Sequence, residues 1–231
     1  MAIPSLKLGD GEWAVKETKL LATYPVLNRK IPVEIDAIRA TTATRVNDLG
    51  FIESVGTGIA RIDYSSGEAA LLVEPQRTNL SLYSNQFNNS YWTKRAGLTI
   101  TDDFSISPDG TNNSSKCNLT SGDGYLFRTF NFNPSTTYTI SVFAKIAGSF
   151  QFNIFSGSNS FVNTVNTSNE FQRFSFTFTT GATTSAGDFG IKVFNNLEIF
   201  GFQLEIGNSI SSYIPTLASA ITRNQDLISK T

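Results

Sequence analysis

Thr137-Tyr138-Thr139-Ile140-Ser141-Val142-Phe143-Ala144-Lys145-Ile146 decides the fold. Tyr138, Ile140, Val142, Ala144 and Ile146 recur at every second position, which puts them on one face of a half-buried strand. The same alternation returns on both sides of it. Phe150, Phe152 and Ile154 form one set, and Phe174, Phe176 and Phe178 alternate with Ser175, Thr177 and Thr179. Over Glu198 to Ile206, the spacing predicts Phe200, Phe202, Leu204 and Ile206 on one face, with Gln203 and Glu205 on the other. Turn residues separate the runs at Pro108-Asp109-Gly110, Asn133-Pro134-Ser135, Gly148-Ser149 and Gly181-Ala182-Thr183. No segment longer than a turn or two has a helical period. The expected fold is all-β: an antiparallel β-sandwich of the jelly-roll kind.

The rest of the chain differs in composition. Of 231 residues, 18 are Lys or Arg and 19 are Asp or Glu, and 19 of these charges fall within residues 1–77. Phe is distributed the opposite way, with only Phe51 before residue 78 and 18 Phe after it. The boundary is placed at Glu74-Pro75-Gln76-Arg77, where Pro75 disfavours helix and cannot donate to a ladder. The division is residues 1–77, an extended and partly β anchoring or oligomerisation region; 78–217, the sandwich; and 218–231, a C-terminal tail. Within the first region, Ala60 to Tyr64 is expected to pair with Leu71-Leu72-Val73 across Ser65-Ser66-Gly67. Pro25 and Pro32 demote their runs to edge strands or arms. Large apolar residues are too few there for an independent core. The mixed charges Lys7, Asp10, Glu12, Lys16, Glu17 and Lys19 suit either a solvated face or docking to another protein.

Composition removes several chemistries. With no His, the chain has no His-based nucleophile activation and no imidazole metal site. One Cys excludes an intrachain disulfide and a cysteine-cluster zinc site. A net charge of -1 offers no basic footprint for nucleic acid. No apolar run reaches the roughly 20 residues of a membrane span, and Met1 to Asp10 has no signal-peptide core.

Other residues invite a functional reading and lose to a plainer one. Tyr91-Trp92 suggests sugar stacking, but packing on the first strand is favoured. Phe143, on the face opposite Tyr138, is read as a subunit contact rather than a binding surface. Asp102, Asp103, Asp109 and Asn112 offer oxygens to Ca²⁺ but lack the spacing of a calcium loop. Glu198 and Glu205, a conceivable glycosidase pair, are expected on opposite strand faces. Gly56-Thr57-Gly58 is too short for a phosphate loop. Cys117 reads as a small buried residue. No catalytic residue, metal ligand or cofactor is assigned, and ligand-binding residues stay unassigned.

Three stretches together resemble a known group. They are Thr41-Thr42-Ala43-Thr44-Arg45-Val46-Asn47 with Gly50-Phe51-Ile52-Glu53; Leu71-Leu72-Val73-Glu74-Pro75-Gln76-Arg77-Thr78-Asn79-Leu80 with Tyr83-Ser84-Asn85-Gln86-Phe87 and Tyr91-Trp92-Thr93-Lys94; and Phe202-Gln203-Leu204-Glu205 with Ser212-Tyr213-Ile214-Pro215-Thr216 and Thr222-Arg223. This wording resembles tailed-bacteriophage virion proteins of the head-fibre (head-spike) and tail-fibre type, whose sandwich is similar to jelly-roll carbohydrate-binding modules. The resemblance implies a non-enzymatic virion structural protein, with a capsid head fibre or decoration protein preferred. The alternative is a tail-borne receptor-binding protein that recognises host surface glycan. It also implies other virion proteins as partners and a homo-oligomer, with a trimer favoured. The chain is then expected in the virion after synthesis in the host cytoplasm, with no nucleic-acid or membrane partner.

Overall fold

The computed structural model describes residues 13–16, 19–26, 29–145, 147–183 and 185–230. Lys7, Asp10, Glu12, Glu17 and Ile146, on which expectations were placed above, lie outside the described residues. The regular elements among the described residues are all strands, and no helix long and apolar enough to cross a membrane is found among them. In chain order these are β1 (Trp13–Lys16), β2 (Lys19–Val26), β3 (Arg29–Ile38), β4 (Ala43–Val46), β5 (Ile52–Val55), β6 (Arg61–Asp63), β7 (Ala70–Leu72) and β8 (Arg77–Asn79). There follow β9 (Thr93–Arg95), β10 (Leu98–Thr101), β11 (Ser115–Leu119), β12 (Gly124–Phe132), β13 (Thr137–Lys145), β14 (Gly148–Ser156) and β15 (Asn159–Thr167). The last are β16 (Gln172–Thr179), β17 (Ser185–Val193), β18 (Leu197–Ile206), β19 (Ile221–Arg223) and β20 (Leu227–Lys230).

The strands belong to two compact units. One comprises Met1–Arg77, Ser211–Tyr213 and Thr222–Thr231, and the other comprises Thr78–Ile210 and Ile214–Ile221. The second unit is the antiparallel sandwich that the alternation predicts. One sheet has the order β10-β11-β18-β13-β16 and the other β15-β14-β17-β12-β9. Tyr138, Ile140, Val142 and Ala144 of β13 are buried together with Phe150, Phe152 and Ile154 of β14 and Phe178 of β16, while Phe174 and Phe176 pack on them from its margin. Each fully buried Phe, Ile or Val among them contributes about 1.5–3 kcal/mol by leaving water.

One strand departs from the expected parity. Leu197 and Ile199 of β18 join the core, and so do Phe202 and Leu204. Phe200 does not share their face; it is buried against Phe143, with ring centroids 6.0 Å apart. The cause is a β-bulge. Ser141 pairs with Gln203 and Phe143 with Phe200, so Val142 alone faces both Gly201 and Phe202. Gly201 has φ 65°, a left-handed conformation that glycine adopts without steric cost. Ile206, the last residue of the strand, is 47% exposed rather than in the core.

Gln203 and Glu205 are fully buried as well, so both faces of β18 are covered. Gln203 Oε1 accepts from the Ile214 amide at 2.7 Å. Asn79 Nδ2 donates to the carbonyls of Phe202 and Ile214 at 3.1 and 2.8 Å, and Asn79 Oδ1 accepts from the amides of Leu204 and Ser81. Thr216 Oγ1 donates to the Ser81 carbonyl at 2.6 Å. Several residues that carry the resemblance are thus the polar atoms that let loops 79–84 and 214–217 lie on a buried strand with their backbone groups paired.

The first unit holds the sheet β1-β2-β3-β20 and the hairpins β4-β5 and β6-β7. The β6-β7 pairing is the expected one, with Ile62 opposite Leu71. Pro25 and Pro32 lie inside β2 and β3, which are inner strands of their sheet. Among the described residues, β1 pairs with β2 over Lys19 to Ala22 and β20 pairs with β3 over Ile35 to Ile38, so neither proline lies in a stretch paired on both sides.

Among the described residues, the apolar cluster of this unit sets Ala60 and Ile62 under Ala37, Tyr64, Ala69 and Leu71. A buried charge network stands beside it. Arg39 pairs with Asp226 at 2.8 Å, and Arg61 pairs with Glu74 at 2.8 Å and also with Asp226. Arg223 lies 3.5 Å from Glu74 and 3.7 Å from Asp226. The three guanidiniums outnumber the two carboxylates, and carbonyls take the surplus donors. Arg39 donates to Thr41, Ile59, Val55 and Gly56, Arg61 to Thr44, and Arg223 to Pro75. Ser212 donates to Glu74 through both its amide and its hydroxyl at 2.7 Å.

Candidate functional site

The outer face of the sheet β15-β14-β17-β12-β9 carries a groove of about 520 Å³ lined by Arg95, Ala96, Tyr125, Phe127, Asn153, Phe155, Asp188 and Ile191. That volume lies within the range of ligand pockets. Strand register explains how the residues meet. The inward phase of β14 and β17 is spent on the core (Phe150, Phe152, Ile154; Phe189, Ile191, Val193). The other phase forms three rows across the sheet. Arg95, Tyr125, Lys192 and Gln151 make one row; Thr93, Phe127, Gly190 and Asn153 the next; Thr129, Asp188 and Phe155 the third.

Gly190 makes the middle row concave. A Cβ there would fall 2.0 Å from the Leu126 carbonyl oxygen and 2.6 Å from the Phe127 Cα, so only glycine allows the strands to approach this closely. It also leaves the floor between Phe127 and Asn153 without a side chain. Aromatic rings stand on both sides: Tyr125 and Phe127 half-buried on β12, and Phe155 44% exposed on β14.

Polar atoms complete the lining. Asn153 Oδ1 is buried and has no hydrogen-bond partner among the described residues. The Arg95 guanidinium lies 4.7 Å from the Phe127 ring centroid and pairs with no carboxylate among the described residues. Asp188 Oδ1 accepts from Thr129 Oγ1 at 2.8 Å. Lys192 pairs with Asp123 at 2.7 Å, which holds its ammonium above the ordinary value. Ring faces, a free acceptor and a guanidinium fork around a side-chain-free floor are suited to a ligand with apolar C–H faces and hydroxyl edges.

The residues weighed from the sequence lie elsewhere. Trp92 is 2% exposed and donates from Nε1 to the Tyr83 carbonyl at 3.1 Å. Tyr91 packs edge-on against it beneath the Arg128 guanidinium, and burial pushes the Tyr91 hydroxyl up. The packing role stands, although the pair sits in the turn before β9 rather than on a strand. Phe143 packs on Phe200 and lies 5.3 Å below the Arg173 guanidinium.

Asp109 accepts from Ser107, Thr111 and Asn113 in a closed turn. Asp102 accepts from Ser115 and from the Asn88 amide, and Asn112 donates to the Asp103 carbonyl. No group of three or more Cys, Asp or Glu side chains among the described residues is placed to hold a metal ion. Glu198 pairs with Lys145 at 3.1 Å, and Glu205 accepts from Gln203. The bulge puts Glu198 opposite Lys145 and Glu205 opposite Thr139, so the two share a face of β18 rather than lying on opposite ones as expected. They nevertheless stand roughly 20 Å apart along the strand at about 3.3 Å per residue, too far to share a glycosidic bond. Gly56 and Gly58 close the turn around Arg39. Cys117 is fully buried, which pushes its thiol up.

None of the groove residues was singled out from the sequence. A signal was present in Tyr125-Leu126-Phe127, where large apolar side chains occupy both phases of a strand, so that one must face away from the core.

No protein-family model matches the chain, and no curated protein matches it. Solved structures give distant likenesses. The enzymatically active domain of tailspike protein 4 from bacteriophage CBA120 aligns with TM-score 0.47 and 14% identity, over 56% of this chain and 21% of that one. The CBM22-1–GH10 modules of Clostridium thermocellum endo-1,4-β-D-xylanase 10B, complexed with xylohexaose, align with TM-score 0.47 and 13% identity, over 61% of this chain and 30% of that one. The aligned part thus spans less than a third of either of these two. TmCBM61, in complex with β-1,4-galactotriose, aligns with TM-score 0.44 and 13% identity, over 55% of this chain and 97% of that one.

Proposed function

We propose that this chain is a non-enzymatic, glycan-binding structural protein of a bacteriophage particle. One observation carries the binding role: an outer sheet face where Tyr125, Phe127 and Phe155 flank a glycine floor, with the Asn153 side chain lining the same groove. Ring faces beside a polar amide suit the C–H faces and hydroxyl edges of a sugar. The virion address is supported by the motif wording around Glu74 to Leu80 and Ser212 to Thr216. The head-fibre and tail-borne placements both accommodate a glycan-binding sandwich, and the groove supports the receptor-binding alternative more than pure decoration. Homo-oligomerisation through residues 1–77, as a trimer, belongs to the same proposal.

The test is affinity electrophoresis of the full chain in a panel of bacterial surface polysaccharides. The wild type is expected to be retarded in at least one gel. Tyr125→Ala and Phe155→Ala should each weaken binding about tenfold, the loss of roughly one aromatic contact. Their melting temperatures should match the wild type. Uniform migration of the wild type in every gel would sink the glycan role, and a cryo-EM map of the particle would assign head or tail.

A further inference from the structure

Charge is not spread evenly over the groove. Counting by register, Arg95 and Asp188 occupy rows four residues apart along the strands, about 13 Å at 3.3 Å per residue. The Arg95 row is cationic, the middle row is aromatic and amide, and the far row holds the carboxylate. The two cations of the first row are not equivalent. Lys192 is already paired with Asp123, whereas the Arg95 guanidinium lies over the ring of Phe127 and has no carboxylate partner among the described residues.

The position of Arg95 is also set by the backbone. Arg95 ends β9, and the chain passes to β10 through Ala96 and Gly97 alone, both with positive φ (57° and 73°). A non-glycine residue in this region is strained. The tight turn leaves Arg95 at the end of the groove, with its guanidinium lying over an aromatic face.

We infer that the groove selects glycans bearing a sugar carboxylate, with Arg95 as the residue that reads it. This rests on the glycan-binding role proposed above. The chemistry follows from two groups of the groove, the exposed Arg95 guanidinium and the Asn153 amide. Guanidinium is a planar fork that matches a carboxylate through two parallel hydrogen bonds. Asn153 Oδ1 can only accept, so it takes a hydroxyl and cannot take the anion. A hexuronate residue offers both a carboxylate and hydroxyls on one ring. Asp188 does not oppose this arrangement, because about 13 Å exceeds the screening length of roughly 8 Å at physiological ionic strength.

The experiment uses the full chain with polygalacturonate, alginate and hyaluronate, each beside its carboxyl-reduced form, by affinity electrophoresis and calorimetry. At least one carboxylated polymer is expected to bind about tenfold or more tightly than its reduced form. That ratio should shrink as salt rises from about 50 to 500 mM, because the ion pair is exposed. In Arg95→Ala the ratio should fall to near one, and Arg95→Lys should restore only part of it, because ammonium lacks the fork. Arg95 is exposed, so the melting temperature should not move.

Equal binding of the charged and reduced polymers by the wild type would overturn the carboxylate inference and leave the glycan role intact. A preference that survives Arg95→Ala would overturn the assignment to Arg95. Wild-type binding to neither the charged nor the reduced forms would overturn the inference, and the uniform migration described above would overturn the glycan role beneath it.

Discussion

Arg39 and Arg61 both donate to the carboxylate of Asp226, and the Glu74 amide donates to it at 2.9 Å. Burial pushes the Asp226 carboxyl up, but the bonds from Arg61, Arg39 and the Glu74 amide outweigh burial and hold it below the ordinary value. Replacing Asp226 with Asn leaves three buried guanidiniums facing Glu74 alone. The expected cost is about 3–5 kcal/mol, that of leaving a buried charge uncompensated. Hydrogen exchange of amides 39–77 reads it locally. The sign with pH follows from the lowered value. The contribution is complete above the ordinary Asp pKa of about 3.9 and is lost as pH falls through the folded value. Urea midpoints of the wild type should therefore fall toward those of Asp226→Asn between pH 5 and 2 in ~0.5 unit steps; parallel curves would refute the linkage. None of this was legible in the sequence. Arg39, Arg61, Glu74, Arg223 and Asp226 are scattered over nearly the whole chain, and only the fold makes them neighbours.

At the scale of the element, β13, β14 and β16 were legible because each keeps one parity from end to end. β18 was not, because Gly201 inserts a residue and reverses the parity of everything before it. Periodicity assumes a constant count between positions, and a bulge breaks that assumption at a single glycine. The groove was missed for a related reason, since a cross-strand row such as Phe127-Gly190-Asn153 exists only once pairing is known. Backbone conformation predicts two opposite effects. Gly201→Ala forces an L-residue to φ 65° and should destabilise the sandwich by about 1–2 kcal/mol. Ala96→Gly removes an existing left-handed Ala and should raise stability by up to about 1 kcal/mol. Thermal unfolding followed by circular dichroism separates them, and shifts of the same sign in both variants would contradict the strain argument.

At the scale of the whole molecule, the charge-rich composition of residues 1–77 was visible, but its meaning was not. Arg39, Arg61, Arg223 and Asp226 are inside, beside the apolar cluster that the described residues form around Ala60 and Ile62. They are also completed from the far end of the chain. Residues 222–230 fold with the first unit: β20 pairs with β3, placing Leu227 opposite Ile38, and Arg223 and Asp226 enter the charge network. The first unit therefore depends on residues synthesised after the sandwich. Deleting residues 222–231 should separate the two. Arg39 and Arg61 then lose Asp226, a loss of about 3–5 kcal/mol by itself, and the sheet loses β20. Limited proteolysis with mass spectrometry should show cleavage throughout residues 36–77 and an intact core from about residue 78 to 221. Retardation by polysaccharide should persist in the deleted chain, because every groove residue lies in the second unit. Protection of residues 36–77 equal to that of the full chain would mean that the apolar cluster and hairpins suffice without the network.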